Sequence, residues 1–234
     1  MERKEKKKVR KVLNQKIIQL HDIVADIDSL LTGMETYWYR VCIFGSARLK
    51  PETDNYKQAY ELAKALASRN IDIVTGGGPG LMEAANKGAK DAGLKARSIG
   101  LPIELPFESD ANSHLDVKHH HKRFSSRLDE FMRISHAIII TPGGIGTILE
   151  LFYAWQLIQV EHIKERPIIL LGGGEMWKEL ILWMEKFPLA ENLMSKTDFD
   201  AIQYVETIED AIGILEPHFK AFEEQREREE AKSR

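Results

Sequence analysis

Short apolar runs alternate along the chain with stretches whose apolar positions recur every three or four residues. The runs over residues 41–45, 71–75, 96–101, 115–118, 136–141, 167–171 and 201–205 predict strands, and helical spacing predicts helices near 55–69, 79–92, 121–134, 145–160, 175–186 and 207–220. Parallel neighbours need crossovers of a dozen residues or so, which these helices supply. The pattern therefore predicts an α/β fold: a Rossmann-like, doubly wound, mainly parallel sheet with helices on both faces. Ahead of this body, Val9, Leu13, Ile17, Ile18, Leu20, Ile23, Ile27, Leu30 and Leu31 keep near-helical spacing up to Gly33. They predict an N-terminal amphipathic helix over 1–33, a main domain over 34–220 and a charged tail over 221–234. No internal repeat and no long Pro/Gly/Ser linker divides the main domain.

The 234 residues suffice for one large domain with a sizeable core. A single cysteine, Cys42, excludes an intramolecular disulfide framework and a Cys-rich zinc module, and its place among Val41, Ile43 and Phe44 predicts an inert, buried thiol. No secretory signal and no membrane-spanning run is visible, so a cytoplasmic protein without a membrane partner is expected. The net charge of −3 is unevenly spread. Residues 1–12 hold seven Lys/Arg against two Glu and residues 216–234 hold five against six, which leaves the body at −7. A body that acidic is a poor binder of phosphate backbones, so nucleic acid is not an expected partner.

Chemistry concentrates in two glycine-rich loops, each directly after a predicted strand and before a predicted helix. The first is Thr75-Gly76-Gly77-Gly78-Pro79-Gly80, the second Thr141-Pro142-Gly143-Gly144-Ile145-Gly146-Thr147. A helix start offers unpaired N–H groups and a positive dipole end, and glycines let a ligand approach the backbone. Both loops therefore read as phosphate- or sugar-accepting, with Thr147 adding a hydroxyl. The spacing is not that of a dinucleotide fingerprint, and no cofactor is expected. Glu83, in the first turn after the first loop, is a candidate ligand contact. Glu150, one turn into the second helix, lies in a segment apolar nearly all round, from Ile148 to Val160, and is a desolvated carboxylate beside a phosphate loop. Such a helix also predicts a subunit interface and a homodimer or higher homo-oligomer. His119, His120 and His121 are consecutive and cannot converge on one ion, so no metal site is expected. His121-Lys122 alone does not make a pyridoxal phosphate site.

The segment Pro142-Gly143-Gly144-Ile145-Gly146-Thr147-Ile148-Leu149-Glu150 resembles the PGGxGTxxE signature of the LOG ("Lonely Guy") family. These are cytokinin riboside 5′-monophosphate phosphoribohydrolases, long labelled as lysine decarboxylases. Phe44-Gly45-Ser46-Ala47-Arg48 is similar to that family's first strand and loop, and residues 75–86 to its TGGGPGxMEAAN segment. The resemblance covers roughly residues 40–215. It implies a Rossmann-like fold, a dimer or larger assembly, and hydrolysis of a nucleoside 5′-monophosphate, AMP first, to free base and ribose 5-phosphate. It also implies Glu150 and Arg127 as catalytic residues, with Gly45, Ser46, Gly77, Gly78, Glu83, Gly143, Gly144, Gly146 and Thr147 binding substrate. Leu128 stands where the family has a lysine beside the arginine, and Leu149 where many relatives carry a second acidic residue. The alternative on the same fold is a non-catalytic carrier of a nucleotide or of molybdenum cofactor, which would not require Glu150 with Arg127.

Overall fold

The computed structural model describes residues 37–93, 95–103 and 111–232, together with Arg10, Leu13, Lys16, Ile17 and Leu20. The chain forms two units, Met1–Tyr37 and Trp38–Arg234. In the first unit the five described positions before Tyr37 are helical, and the rest of the expected 1–33 helix lies outside the described residues.

The second unit is built on seven strands: β1 (Arg40–Phe44), β2 (Asp72–Thr75), β3 (Ser98–Gly100), β4 (Val117–Lys118), β5 (Ala137–Ile140), β6 (Ile168–Leu171) and β7 (Ile202–Val205). They pair in the order β4-β3-β2-β1-β5-β6-β7, every pair parallel. Among the described residues, six α-helices cross between or follow them: α1 (Asp54–Ala67), α2 (Leu81–Asp91), α3 (Phe124–Ile134), α4 (Ile145–Gln159), α5 (Glu175–Met184) and α6 (Ile208–Lys232). This is the α/β, Rossmann-like sheet that the alternating pattern predicts.

Strand side chains alternate between two cores. Val41, Ile43, Ile73, Ile139 and Ile169 point to the side packed by α1, α2 and α6, while Cys42, Phe44, Val74, Ile138 and Leu170 point to the side packed by α3, α4 and α5. Both faces are covered, so the central strands read as unbroken apolar runs rather than as alternating ones. The edge strand β4 is short and partly exposed, with Lys118 in solvent. Helices α1 and α2 meet through Ala59, Ala63, Ala84, Ala85 and Ala89, and a Cβ at Gly88 would collide with the Tyr60 carbonyl of α1.

The expected helix over 175–186 stops as an α-helix at Met184 and passes into a π-turn at Glu185–Leu189 around Pro188, which has no N–H to continue the ladder. Helix α6 runs past 220 to Lys232. Its extension is laced by pairs such as Lys220 with Glu216 and Arg228 with Glu224, and Phe222 packs edge-on against Tyr39 and His136. No helix among the described residues is long and apolar enough to cross a membrane.

Candidate functional site

After β1 the chain builds outward to β2, β3 and β4, then returns to place β5 on the other side of β1. At such a reversal the loops leaving the carboxyl ends of the two central strands diverge and leave a crevice. Here it measures about 570 Å³. Its walls come from Gly45, Ser46, Ala47 and Arg48 after β1, Gly76 and Gly78 after β2, and Gly144, Ile145, Gly146, Thr147 and Glu150 at the start of α4. Phe124 and Arg127 of α3 and Met82 of α2 complete it. The strands flanking the reversal are β1 and β5, so the residue 45–48 loop is as much part of the site as either glycine-rich loop.

Helix α3 buries Leu128, Phe131 and Met132 and carries Arg127 at the border of that face. The guanidinium lies over the Phe131 ring, 5.2 Å from its centroid. Its Nε donates to the Leu101 carbonyl at 2.6 Å and its Nη2 to the Gly76 carbonyl at 3.3 Å. Across the crevice, burial pushes the Glu150 carboxyl up from 4.5 to about 7, and the Arg127 charge opposes that rise. Such a carboxyl can give or take a proton near neutral pH, the property wanted in an acid–base group.

The start of α4 has Gly144 as its cap residue with no side-chain cap, and its first helical hydrogen bond is from Ile148 N to Gly144 O. The N–H groups of the first turn therefore present a positive end to the crevice, with the Thr147 side chain beside them. The first glycine-rich loop is wired otherwise. Gly77 N donates to Thr75 Oγ1 at 3.0 Å, and Leu81 N, at the start of α2, donates to the Ser46 carbonyl at 3.0 Å. The carbonyls of Gly76, Gly77 and Gly78 accept from Arg127 and Asn112. One loop offers donors to a ligand, and the other offers acceptors to the protein.

The crevice thus brings together Gly45, Ser46, Gly78, Arg127, Gly144, Gly146, Thr147 and Glu150. Gly77, Gly143 and Glu83 do not line it. Gly77 turns with φ of +74° and packs against Leu115 and Gly100, Gly143 lies under the Thr147 side chain, and the Glu83 charge falls on Tyr56 of α1, where it helps raise the phenol pKa after burial. Leu128 is 9% exposed and part of the core, not of the crevice, whereas Leu149 is 48% exposed. Helix α4 is not enclosed all round: Leu151, Ala154 and Trp155 are buried, but Leu149, Gln156, Gln159 and Val160 lie in the open. His119 faces Glu130 at 3.6 Å while His121 faces Ser126 at 3.4 Å, so the consecutive histidines diverge. Burial raises the Cys42 thiol pKa well above its usual value.

Sequence reasoning did not assign Phe44, Ala47, Arg48 or Gly76 as lining residues, although they stand in the quoted motifs, and it also missed Met82, Phe124 and Ile145. For two of the last three a signal existed: Phe124 lies three residues before Arg127, on the same side of its helix, and Ile145 stands between Gly144 and Gly146.

A family model described as possible lysine decarboxylase matches residues 82–215, and the chain belongs to that family, the LOG family. Over 184 residues it is 28% identical to a cytokinin riboside 5′-monophosphate phosphoribohydrolase of Arabidopsis thaliana, covering 76% of this chain and 82% of that one. Over 137 residues it is 34% identical to the pyrimidine/purine nucleotide 5′-monophosphate nucleosidase of Escherichia coli (strain K12), covering 52% of this chain but 29% of that enzyme. Among solved structures, the molybdenum cofactor binding protein from Rippkaea orientalis shares the fold, with a TM-score of 0.57, 22% identity and coverage of 76% of this chain and 94% of that one. The decarboxylase description would call for a lysine to hold pyridoxal phosphate. Among the described residues the crevice lining carries none, so these residues do not fit that group.

Proposed function

We propose that the crevice hydrolyses the N-glycosidic bond of a nucleoside 5′-monophosphate, AMP first, to free base and ribose 5-phosphate. The observation that carries this reading is Glu150, a carboxyl with pKa about 7, facing Arg127 across a crevice walled by the uncapped start of α4. The 5′-phosphate rests on the first-turn N–H groups of α4 and on Thr147, and its binding energy positions the sugar. As the bond from C1′ to the base breaks, positive charge builds on the ribose ring and the electron pair leaves with the base. The Glu150 carboxylate stabilises the ring charge and orients the water that adds to C1′. Arg127 stabilises the departing base, which takes up a proton as water gives one up. The Arabidopsis and E. coli relatives, by their names, act on nucleoside monophosphates, which supports the same class here.

In the same reading the working form is a homodimer or larger assembly, with the open face of α4 against a second copy. Trp155 is 4% exposed and donates to the Asp198 carbonyl at 2.6 Å, so it belongs to the core; Leu149 is the residue through which to test the assembly. The carrier alternative shares the fold with the Rippkaea protein but leaves Glu150 without a task.

The experiment is incubation with a panel of nucleoside monophosphates and their nucleosides, with detection of free base. AMP is expected to be cleaved and adenosine to be a much poorer substrate; equal turnover of the two would remove the phosphate role from α4. Glu150→Gln is expected to keep nucleotide binding while turnover falls by on the order of 10² or more. A carrier would bind without releasing base.

A further inference from the structure

We infer that Asn112, backed by Asn86 and Thr75, is a positioning residue for Arg127, acting through the carbonyls of the first glycine-rich loop. The inference rests on the reading of Arg127 as a catalytic group.

The chain of contacts is continuous. Asn112 Nδ2 lies 3.1 Å from the Gly77 carbonyl and 2.9 Å from that of Gly78, and its backbone N donates to the Gly77 carbonyl at 2.8 Å. The same Nδ2 is 2.9 Å from Asn86 Oδ1, which also accepts from Thr75 Oγ1 at 2.7 Å, while Asn86 Nδ2 donates to Ser98 Oγ at 2.9 Å. Thr75 Oγ1 in turn accepts the Gly77 N–H at 3.0 Å. Thr75, Asn86 and Ser98 are fully buried. The network thus fixes the loop at Gly77 and Gly78, beside the Gly76 carbonyl that receives the Arg127 guanidinium. The second acceptor of Arg127, the Leu101 carbonyl, belongs to the same assembly, because Leu101 N donates to the Thr75 carbonyl at 2.9 Å.

A buried polar network gives little net stability over a well-packed apolar one, but it fixes one geometry, because any other leaves buried groups unpaired. That fixed geometry is what an arginine held by two carbonyls requires. A guanidinium on a flexible stem would otherwise sample many poses, and misplacement of a catalytic group by about 1 Å can cost on the order of 100-fold in rate. The glycines fit this role better than a phosphate cradle. A Cβ at Gly76 would strike the guanidinium itself, and Gly77, at a φ of +74° that favours glycine, offers its carbonyl to Asn112.

The test uses the full chain with Asn112→Ala, Arg127→Ala and the double variant. Readouts are kcat and KM for AMP, the melting temperature, and hydrogen exchange of the Arg127 Nε–H by NMR, assigned through its absence in Arg127→Lys. Asn112→Ala is expected to lower kcat on the order of tenfold or more, to change KM less than about threefold, and to speed exchange of the Arg127 Nε–H. The double variant is expected to be no slower than Arg127→Ala alone. Additive losses in the double variant, or an unchanged Nε–H signal in Asn112→Ala, would overturn the inference. Should Asn112→Ala not fold, Asn112→Ser, too short to reach both carbonyls, carries the same readouts. If the parent protein releases no base from any nucleotide, the proposed function fails, and the exchange measurement still decides whether Asn112 positions Arg127.

Discussion

A Cβ added at Gly76 would run into the Arg127 guanidinium and stand 2.7 Å from Met82 Sδ, whereas one added at Gly144 or Gly146 would meet nothing within 4 Å. Both sites lie in glycine-rich loops, after a parallel strand and before a helix, at the same end of one sheet. In the first loop the glycines make room for protein: an arginine beside Gly76, Leu115 against Gly77, the residue 46–47 backbone against Gly80. In the second, Gly144 and Gly146 border empty space beside unpaired helix N–H groups, and that space can hold an anion. Glycine content marks where backbone must be approached closely. What does the approaching is decided by the surroundings, which lie elsewhere in the chain.

The largest effect that separates the loops is expected at Gly80. Its φ of +67° disfavours an L side chain, and a Cβ there would lie 2.5 Å from the Ala47 carbonyl atoms, which are backbone and cannot swing aside. Gly80→Ala is expected to destabilise the protein by about 3 kcal/mol or more, read as a fall in melting temperature of roughly 10 °C. Unchanged melting would mean that the first loop is not packed against residues 46–47. Next comes Gly76→Ala, where the colliding atom is the end of a side chain. Stability should change little, while kcat falls on the order of 100-fold because the guanidinium is displaced. A variant that melts normally and turns over normally would break the link between the first loop and Arg127.

This contrast also shows what the sequence could and could not disclose. The central strands were legible because such strands in a covered parallel sheet are short and largely apolar, as residues 137–140 are. Glu150 was legible as a carboxylate in an apolar helix and Arg127 through the family resemblance, and both line one crevice. The π-turn at Glu185–Leu189 was not legible, since hydrophobic spacing continues through Pro188. Nor were the fates of Gly77, Gly143 and Glu83. Spacing locates a loop, but the direction of its N–H groups depends on partners such as Asn112, 35 residues away from Gly77. At Leu128 two sequence signals compete: its place beside Arg127 suggests a missing charge in the site, while helical spacing with Phe124 and Met132 puts it in the core, and the core is where it lies, 9% exposed.

A smaller effect is expected in the second loop. Gly146 is exposed and lies in the first turn of α4, so Gly146→Ala should fold as well as the parent or gain up to about 1 kcal/mol, as alanine does over glycine in a helix. The added methyl fills the space assigned to the phosphate, so AMP should bind on the order of tenfold more weakly, while adenosine should bind as before. Calorimetric titration of both ligands checks this. A loss of stability instead of affinity would mean that the second loop, like the first, is packed by protein.

The smallest effect couples the two loops through charge. Burial raises the Glu150 carboxyl from 4.5 to about 7, and Arg127, held by the first loop, works against that rise. The folded state therefore binds this proton more tightly than the unfolded chain does. Stability from this group is fully present below pH 4.5 and is lost as the pH rises through about 7. Replacing Glu150 by Gln should accordingly flatten the decline in stability over that window. Displacement of the guanidinium away from Glu150 weakens the opposition of its charge, so the carboxyl should ionise at higher pH in Gly76→Ala than in the parent. The measurement is a titration of the Glu150 side-chain 13C signal in ligand-free protein, assigned by its absence in Glu150→Gln, which keeps the ionisation of the substrate phosphate out of the curve. A midpoint that stays put would show that the first loop does not control where the Arg127 charge sits. A midpoint that falls would mean that displacement carries the guanidinium toward Glu150, as if the Gly76 carbonyl normally held it back.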